Sequence, residues 1–527
     1  MKTIAATKPV GMQTAVLAIV GTFALFSAFL LRFSNTYPFA FTDAEYLNLL
    51  FSHNFFHPAN LCISSAGLPA VQNTNLLTVM VLNLAEFIPV DRFLLLWLGQ
   101  TVLCVLLFLR SVGFLRNVLE KKDRSIYLLL FLSLPPLWKG LLFSPSQALA
   151  ALLFIESFSR LTQKKFDAGW TVTLFLLSLS GLQGFFWAFL LGAAGIVFSL
   201  SENPPYKRNS PFSSCFYTTI AALMPVTILY LFLSLETGVL GGIRSIGFPT
   251  LFSELSLTTL LTGEWSAHVR YLLLWLGNGC NDFPVPFPLF GLFSLLGIFA
   301  WLHKKDENRF FVFTAIITLV ISIALFAFAP VETSEGWFLP LLAIVLLTTV
   351  RGIRWTARHS QYERAISWSA AGLLASFSLI SSPAGFSPII SQARYRSNVN
   401  NSLQQVLQNY PLAPGEIAAI DFDPCLFVRL PENTPIFPLE LAIRNPLRFA
   451  SARHEGIRFD QVKALALGPG LIVRYPSFKE VNHAAGNGIE RGESTFAREI
   501  LSSYYTKKTI HHLEVFTPAA RPPPRRL

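Results

Sequence analysis

Long apolar runs separated by short polar clusters organise the chain as far as residue 384. A hydrocarbon core of about 30 Å takes roughly 20 apolar residues per helix. Runs of that kind begin near Thr14, Arg92, Ile126, Gln147, Trp170, Phe185, Phe216, Pro286, Phe310, Trp337 and Ala365, which predicts about eleven transmembrane helices. Asn75 to Val90 is apolar but short, and is read as an outer-surface or re-entrant helix. Trp170 to Leu200 is too long for one span, and Ser180-Gly181-Leu182-Gln183-Gly184 offers the place to turn.

The polar clusters set an orientation. With the N-terminus inside, Arg116-Lys121-Lys122-Arg124, Arg160-Lys164-Lys165, Lys207-Arg208, Lys304-Lys305-Arg309 and Arg351-Arg354-Arg358 all fall on one side, as the positive-inside rule requires. The first span is not followed by a small-residue cleavage site and reads as a retained anchor. The outer side then receives Ser34 to Pro89, Glu236 to Val285, Pro330 to Gly336, and the chain after about Ser382. Past that point Arg, Asp and Glu become frequent. Ile417 to Phe422, Ala464 to Leu467 and Leu471 to Tyr475 read as short strands, Ser494 to Tyr505 as an amphipathic helix, and His511 to Phe516 as a final strand. The predicted fold class is therefore a polytopic α-helical membrane protein. It has a transmembrane domain over 1–384, outer juxtamembrane helices at 43–90, and a C-terminal extracytoplasmic α/β domain at 385–527 that ends in a basic, disordered tail.

Composition agrees. Only 13% of the residues are charged and Phe alone occupies 49 positions, against about 25% charge in soluble chains. The net charge of +11 sits in loops between spans, where it sets orientation, so nucleic acid is not expected as a partner. The five cysteines lack metal-ligand spacing; Cys62, Cys280 and Cys425 share the outer side, and their pairing is open. Gly468-Pro469-Gly470 is a turn, not a phosphate loop. Asp421-Phe422-Asp423 is read as a loop start more readily than as a metal motif.

Candidate chemistry begins at Phe41-Thr42-Asp43-Ala44-Glu45-Tyr46, just past the first span. Thr42 with Glu45 three residues on matches a capping box. That cap does not require Asp43, at the first helical position, so Asp43 is the preferred catalytic acid.

These residues carry a resemblance. An N-terminal span, an outer loop with an acidic residue before a Tyr, juxtamembrane helices, many spans and an outer C-terminal domain resemble the GT-C superfamily of polyprenyl-phosphate-dependent glycosyltransferases. The branch it looks most like is the arabinofuranosyltransferase B-like bacterial one, whose chains read D-D-A-Y/F-I, then N-G, then G-Y-T-S-x-L-W. Here Thr42-Asp43-Ala44-Glu45-Tyr46-Leu47 is followed by Asn54, Gly67-Leu68-Pro69 and Asn73-Thr74-Asn75-Leu76-Leu77. Pro330 to Pro340 takes the place of a late outer loop that ends in R-Y-x-x-P in the family. The chain departs where S-G-M-E becomes Ser144-Pro145-Ser146-Gln147, where R-P-E-G becomes Gly181-Leu182-Gln183-Gly184, and where the first acid of the D-D pair becomes Thr42.

The resemblance implies an inverting transfer of a sugar from polyprenyl phosphate to an extracytoplasmic glycan, lipid or protein, in a bacterial cytoplasmic (inner) membrane. Such a transfer needs one carboxylate as general base, here Asp43, and cationic or hydrogen-bonding groups for the departing phosphate. The substrate-binding candidates are Glu45, Lys139, Gln147, Gln183, His268, Arg270, Glu332 and Glu335. Arg270 offers a planar fork of donors to a phosphate, or snorkels beside the apolar Tyr271 to Leu276. Lys139 is either a second phosphate contact or an interface residue. His53 and His57 read as interfacial. No metal ligands are assigned, and the resemblance leaves a divalent cation open. The Glu-to-Gln changes at Gln147 and Gln183 keep a catalytically silent GT-C scaffold in view; a lipid or polysaccharide transporter is the other alternative, although transporter-type internal repeats are not seen in the sequence.

Overall fold

The computed structural model describes residues 36–52, 75–85, 92–202, 211–236, 288–303, 342–358, 360–411, 418–420, 424–429, 436–438, 471–474, 505–510 and 513–518. The spans expected near Thr14 and Phe310 lie outside these residues, as do His268, Arg270, Glu332, Glu335, Asp421, Asp423, Cys62 and Cys280.

A short 3₁₀ turn at Tyr37–Phe39 leads into α1 (Asp43–Ser52), and α2 is Leu76–Ala85. The long helix α3 (Arg92–Val118) follows. Next come α4 (Lys121–Ser133), α5 (Pro135–Phe143), α6 (Pro145–Thr162), α7 (Ala168–Leu179), α8 (Leu182–Glu202) and α9 (Pro211–Glu236). After α10 (Pro288–His303) and α11 (Leu342–Ala357), α12 runs from Glu363 to Asn409.

Among the described residues, Leu98–Leu115, Gln183–Leu200 and Phe212–Leu229 are long and apolar enough to cross a membrane, and Asp123–Ser133 with Leu137–Phe143 would make a fourth, bent span. Exposed Leu98, Val102, Leu106 and Leu109 line one face of α3, while Leu107, Phe114 and Leu115 are buried. Exposed Tyr217, Ile220, Met224 and Ile228 do the same on α9. A helix that is apolar on its outward face as well as its inward one suits lipid on the outside.

The span expected from Ile126 is two helices meeting at 53°. Pro135 causes the break. It lacks an N–H, and its ring clashes with the preceding turn. The residue before it is pushed out of the helical region, and Leu134 is extended at ψ 116°. Pro145 starts α6 in the same way, at its first position. The turn expected at Ser180–Gly184 is present as a break at Ser180 and Gly181, where Gly181 takes φ 99°, a conformation that suits a residue without Cβ.

The bundle core packs α4, α6, α7, α8 and α11 around Phe154, Phe158, Trp170, Trp187, Leu130 and Leu347. At one end of α4 the buried Arg354 is ion-paired to Asp123, and at 2.9 Å to Glu363, tying α4, α11 and α12 together.

The helix α12 continues unbroken across residue 384, where composition places a domain boundary. Its last turns bury Val399, Leu403 and Val406 against a five-stranded sheet. The strands are β1 (Ala418–Ile420), β2 (Ile436–Pro438), β3 (Leu471–Arg474), β4 (Tyr505–Ile510) and β5 (Leu513–Pro518), in the order β2-β1-β3-β5-β4. β1 is parallel to both neighbours, and β5 pairs antiparallel with β3 and β4. The short helix α13 (Pro424–Phe427) follows β1. Strands were expected at β1 and β3 and are found there. The final expected strand is half of a hairpin, and Tyr505, placed by sequence at a helix end, begins β4. Residues 494–504 and the expected strand at 464–467 lie outside the described residues.

Candidate functional site

The loop before α1 reaches α1 through Thr42, and the sequence predicts a capping box there. The structure uses the same residues differently. The Thr42 N–H donates to the carbonyl of Phe143, the last residue of α5, at 3.0 Å. The Thr42 hydroxyl lies 3.3 Å from Ser144 Oγ. The Glu45 carboxylate turns away from its own helix start and accepts from the start of α6. Ser146 N–H donates to Oε1 at 2.8 Å, Ser146 Oγ donates to the same oxygen, and Ser144 Oγ donates at 3.4 Å. Asn48 Nδ2 donates to Oε2 at 3.2 Å. Glu45 is thus the cap of α6, whose N-cap residue Ser144 makes no side-chain cap bond of its own. An N–H at a helix start has no intrahelical partner, and a carboxylate there is further favoured by the helix dipole.

The network continues. Asn48 Oδ1 accepts the Asn75 N–H at 2.9 Å, which fixes the orientation of that amide. Asn75 Oδ1 caps α2 by accepting the Thr78 N–H at 2.9 Å, and its Nδ2 donates to Ser146 O at 3.3 Å. Glu45, Asn48, Asn75, Ser144 and Ser146 are all buried. Burial pushes the Glu45 carboxyl above the usual carboxylate range, and its hydrogen-bond donors pull it part of the way back.

A second set of contacts holds the loop from the other side. Arg396, buried on α12, donates to Phe41 O at 3.3 Å and lies 5.5 Å from the Tyr46 ring centroid. Arg429 sits 4.2 Å over the Phe39 ring and donates to Pro38 O at 3.4 Å. The Tyr46 hydroxyl donates to Pro38 O at 2.8 Å and accepts the Phe41 N–H at 3.1 Å. Tyr37 donates to Gln100 Oε1 at 2.5 Å, and Gln100 Nε2 donates to Leu142 O at 2.8 Å. The segment 37–46 is therefore clamped between α3, α5, α6 and α12. The Asp43 backbone opens α1 within that clamp.

Of the residues singled out by sequence, Asp43 and Gln147 stand in the first turns of α1 and α6, and Lys139 stands midway along α5, the helix that joins them here. Lys139 is half-buried on α5, one turn before Phe143 and on the same helix face. Gln147 is half-buried beside Ser146. Gln183 is half-buried at the start of α8, beyond the Gly181 turn. Sequence reasoning missed Asn48, Asn75, Ser146, Gln100 and Arg396. Asn75 directly before an apolar run carried a legible signal, as an N-cap. The others, apart from the bond of Asn48 to Glu45, have partners that lie far along the chain.

Glu45 accepts three hydrogen bonds on Oε1 and one on Oε2, which leaves a lone pair open on Oε2. Among the described residues, no group of three or more His, Cys, Asp or Glu is placed to hold a metal.

No protein-family profile matches this chain, and no curated protein sequence matches it. Solved structures do match it. ArnT from Cupriavidus metallidurans bound to undecaprenyl phosphate is similar at 12% identity over 95% of this chain and 98% of that one, with a TM-score of 0.52. The same protein in the apo state gives 14% identity, 95% and 99% coverage, and a TM-score of 0.49. The Archaeoglobus fulgidus oligosaccharyltransferase, in complex with Zn and sulfate, gives 14% identity, 92% and 69% coverage, and a TM-score of 0.43. At these identities the likeness concerns architecture: the chain shares the overall fold of that ArnT structure along nearly its whole length.

Proposed function

We propose that this chain is a membrane glycosyltransferase that moves a sugar from a polyprenyl-phosphate donor to an extracytoplasmic glycan, lipid or protein, with inversion and with Asp43 as general base. The observation that carries the reading is the meeting of α1, α5 and α6. Asp43 and Gln147 stand at the starts of α1 and α6, and Lys139 stands one turn before the end of α5, in a fold shared with a protein solved with undecaprenyl phosphate. An unperturbed Asp is ionised at neutral pH, since its pKa is about 3.9. It accepts the acceptor hydroxyl's proton as the new glycosidic bond forms, and the bond from the anomeric carbon to the phosphate oxygen breaks. The departing phosphate gathers charge, which Lys139 stabilises. Gln147 offers hydrogen bonds to the sugar. Arg270, His268, Glu332, Glu335 and Gln183 complete the proposed substrate set, with the N-terminus cytoplasmic and the sheet region outside. The arabinofuranosyltransferase-like branch is the proposed relationship.

The test is to incubate membranes containing the protein with a panel of radiolabelled polyprenyl-phosphate sugars. Transfer is expected from at least one donor. Asp43→Asn should lower the rate by about 10²–10⁴-fold, the range for general bases, while the protein extracts and migrates as wild type. Full activity in Asp43→Asn removes Asp43 as the base. No transfer from any donor by the wild-type protein overturns the reading.

A further inference from the structure

Glu45 is fully inside the protein, and it lies two residues after Asp43 in the chain. A carboxylate whose oxygens already accept Ser146 N–H, Ser146 Oγ, Ser144 Oγ and Asn48 Nδ2 has little capacity left for a substrate hydroxyl. The same bonds do something else. They join α1 to the first turn of α6 across 101 residues of chain. Through Asn48 and Asn75 they join both to the start of α2. A hydrogen bond between two polar groups removed from water is costly to break from one side only, because the abandoned partner stays desolvated. The angle and position of the first turn of α1, where Asp43 stands, are therefore fixed by this network.

We infer that Glu45 is a positioning residue: by capping α6 from α1, and by holding Asn48 and Asn75 in register, it sets where the Asp43 carboxylate meets the substrate. The inference rests on the proposed transferase reading and reassigns Glu45 from substrate contact to scaffold. It also specifies the order of donors and acceptors. Asn48 gives an N–H to Glu45 and takes one from Asn75. Glu45→Gln alone turns an acceptor into a donor and sets it against the Asn48 amide. Adding Asn48→Asp restores the pairing with its direction reversed, since the new carboxylate accepts from the new amide on one oxygen and from the Asn75 N–H on the other.

The experiment compares wild type, Asp43→Asn, Glu45→Ala, Glu45→Gln, and Glu45→Gln with Asn48→Asp. Transfer rates are read from the polyprenyl-phosphate sugar panel. Undecaprenyl phosphate binding is read in detergent from the shift in unfolding temperature. A misplacement of about 1 Å costs on the order of 10²-fold in rate. Glu45→Ala should lose about that much turnover with undecaprenyl phosphate binding kept within twofold. Glu45→Gln should be intermediate, and the double variant should recover most of the wild-type rate. The inference is overturned if Glu45→Ala turns over normally, if it loses undecaprenyl phosphate binding in proportion to rate (a ligand contact), or if the double variant is no better than Glu45→Gln. The last comparison holds even if Glu45→Ala does not fold. A slow Glu45→Ala beside a fully active Asp43→Asn overturns the base assignment and leaves the network. A wild-type protein inactive with every donor overturns both.

Discussion

Gly297 on α10 and Gly352 on α11 face each other at a backbone-to-backbone crossing. A methyl on Gly297 would overlap the Thr348 carbonyl, with its carbon 2.7 Å away and Gly352 N at 2.9 Å. A methyl on Gly352 would meet Phe293 C at 2.7 Å and Gly297 N at 3.0 Å. Carbon atoms pack at about 3.5–4.0 Å, so either change forces the two helices roughly 1 Å apart. The obstacle is main chain, which no rotamer change can move aside. Separation also stretches the hydrogen bond between Ser294 Oγ and Thr348 Oγ1, now 2.5 Å. Overpacking costs about 1–3 kcal/mol, and the gain in helix propensity from Gly to Ala is about 1 kcal/mol. A backbone clash belongs at the upper end of the first range, so Gly297→Ala is expected to destabilise by about 2 kcal/mol net. Gly99 and Gly113 on α3 and Gly372 on α12 have nothing within 4 Å of a built methyl, so the same change there should be neutral or mildly stabilising. Unfolding in a mild detergent, followed by tryptophan fluorescence, would read both sets. The close crossing is refuted if Gly297→Ala is as stable as Gly99→Ala.

Two further variants probe helix starts. Asn75→Ala removes the cap of α2 and the bond to Ser146 O, and should cost about 1 kcal/mol or somewhat more; Asn75→Ser, which keeps a capping oxygen, should recover part of the loss in the same unfolding assay. Asp167 caps α7 by accepting the Trp170 N–H at 3.0 Å and lies 3.0 Å from Arg160. That backbone bond, ahead of the Arg160 charge, holds its carboxyl below the usual carboxylate range. Its contribution to stability is therefore complete above the ordinary Asp value of about 3.9 and is lost as pH falls through the lowered folded value. Asp167→Asn, which keeps a capping oxygen but removes the charge, should flatten that acid limb of the unfolding curve and lower neutral-pH stability by the amount the wild type loses across it. An acid limb identical to wild type would remove Asp167 as its source.

Residues 144–147 show how far the sequence reaches into the site. Their departure from a family motif drew attention to a piece of chain that the structure packs against α1 through Glu45, and Asp43 was read as the acid that the local cap did not require. The cap itself was misread. Thr42 and Glu45 have the spacing of a capping box, and spacing is all that a sequence displays. In the folded chain the Thr42 N–H finds the Phe143 carbonyl, and Glu45 finds the unpaired N–H of Ser146. Similarly, Ile126 to Phe143 is apolar enough to read as one span, and only the Pro135-Pro136 pair within it signals the bend.

Hydrophobic length, charge placement and Pro or Gly punctuation are local quantities, so the sequence alone determined a helical membrane architecture, the turn at Gly181, and strands at 418–420 and 471–474. The partners of buried polar groups are not local. Glu45 with Ser146, Asn48 with Asn75, and Arg396 with Phe41 pair across 101, 27 and 355 positions. A buried polar group must be satisfied by whatever the packing brings within reach. Tertiary structure therefore decided that Glu45 is bonded into the scaffold.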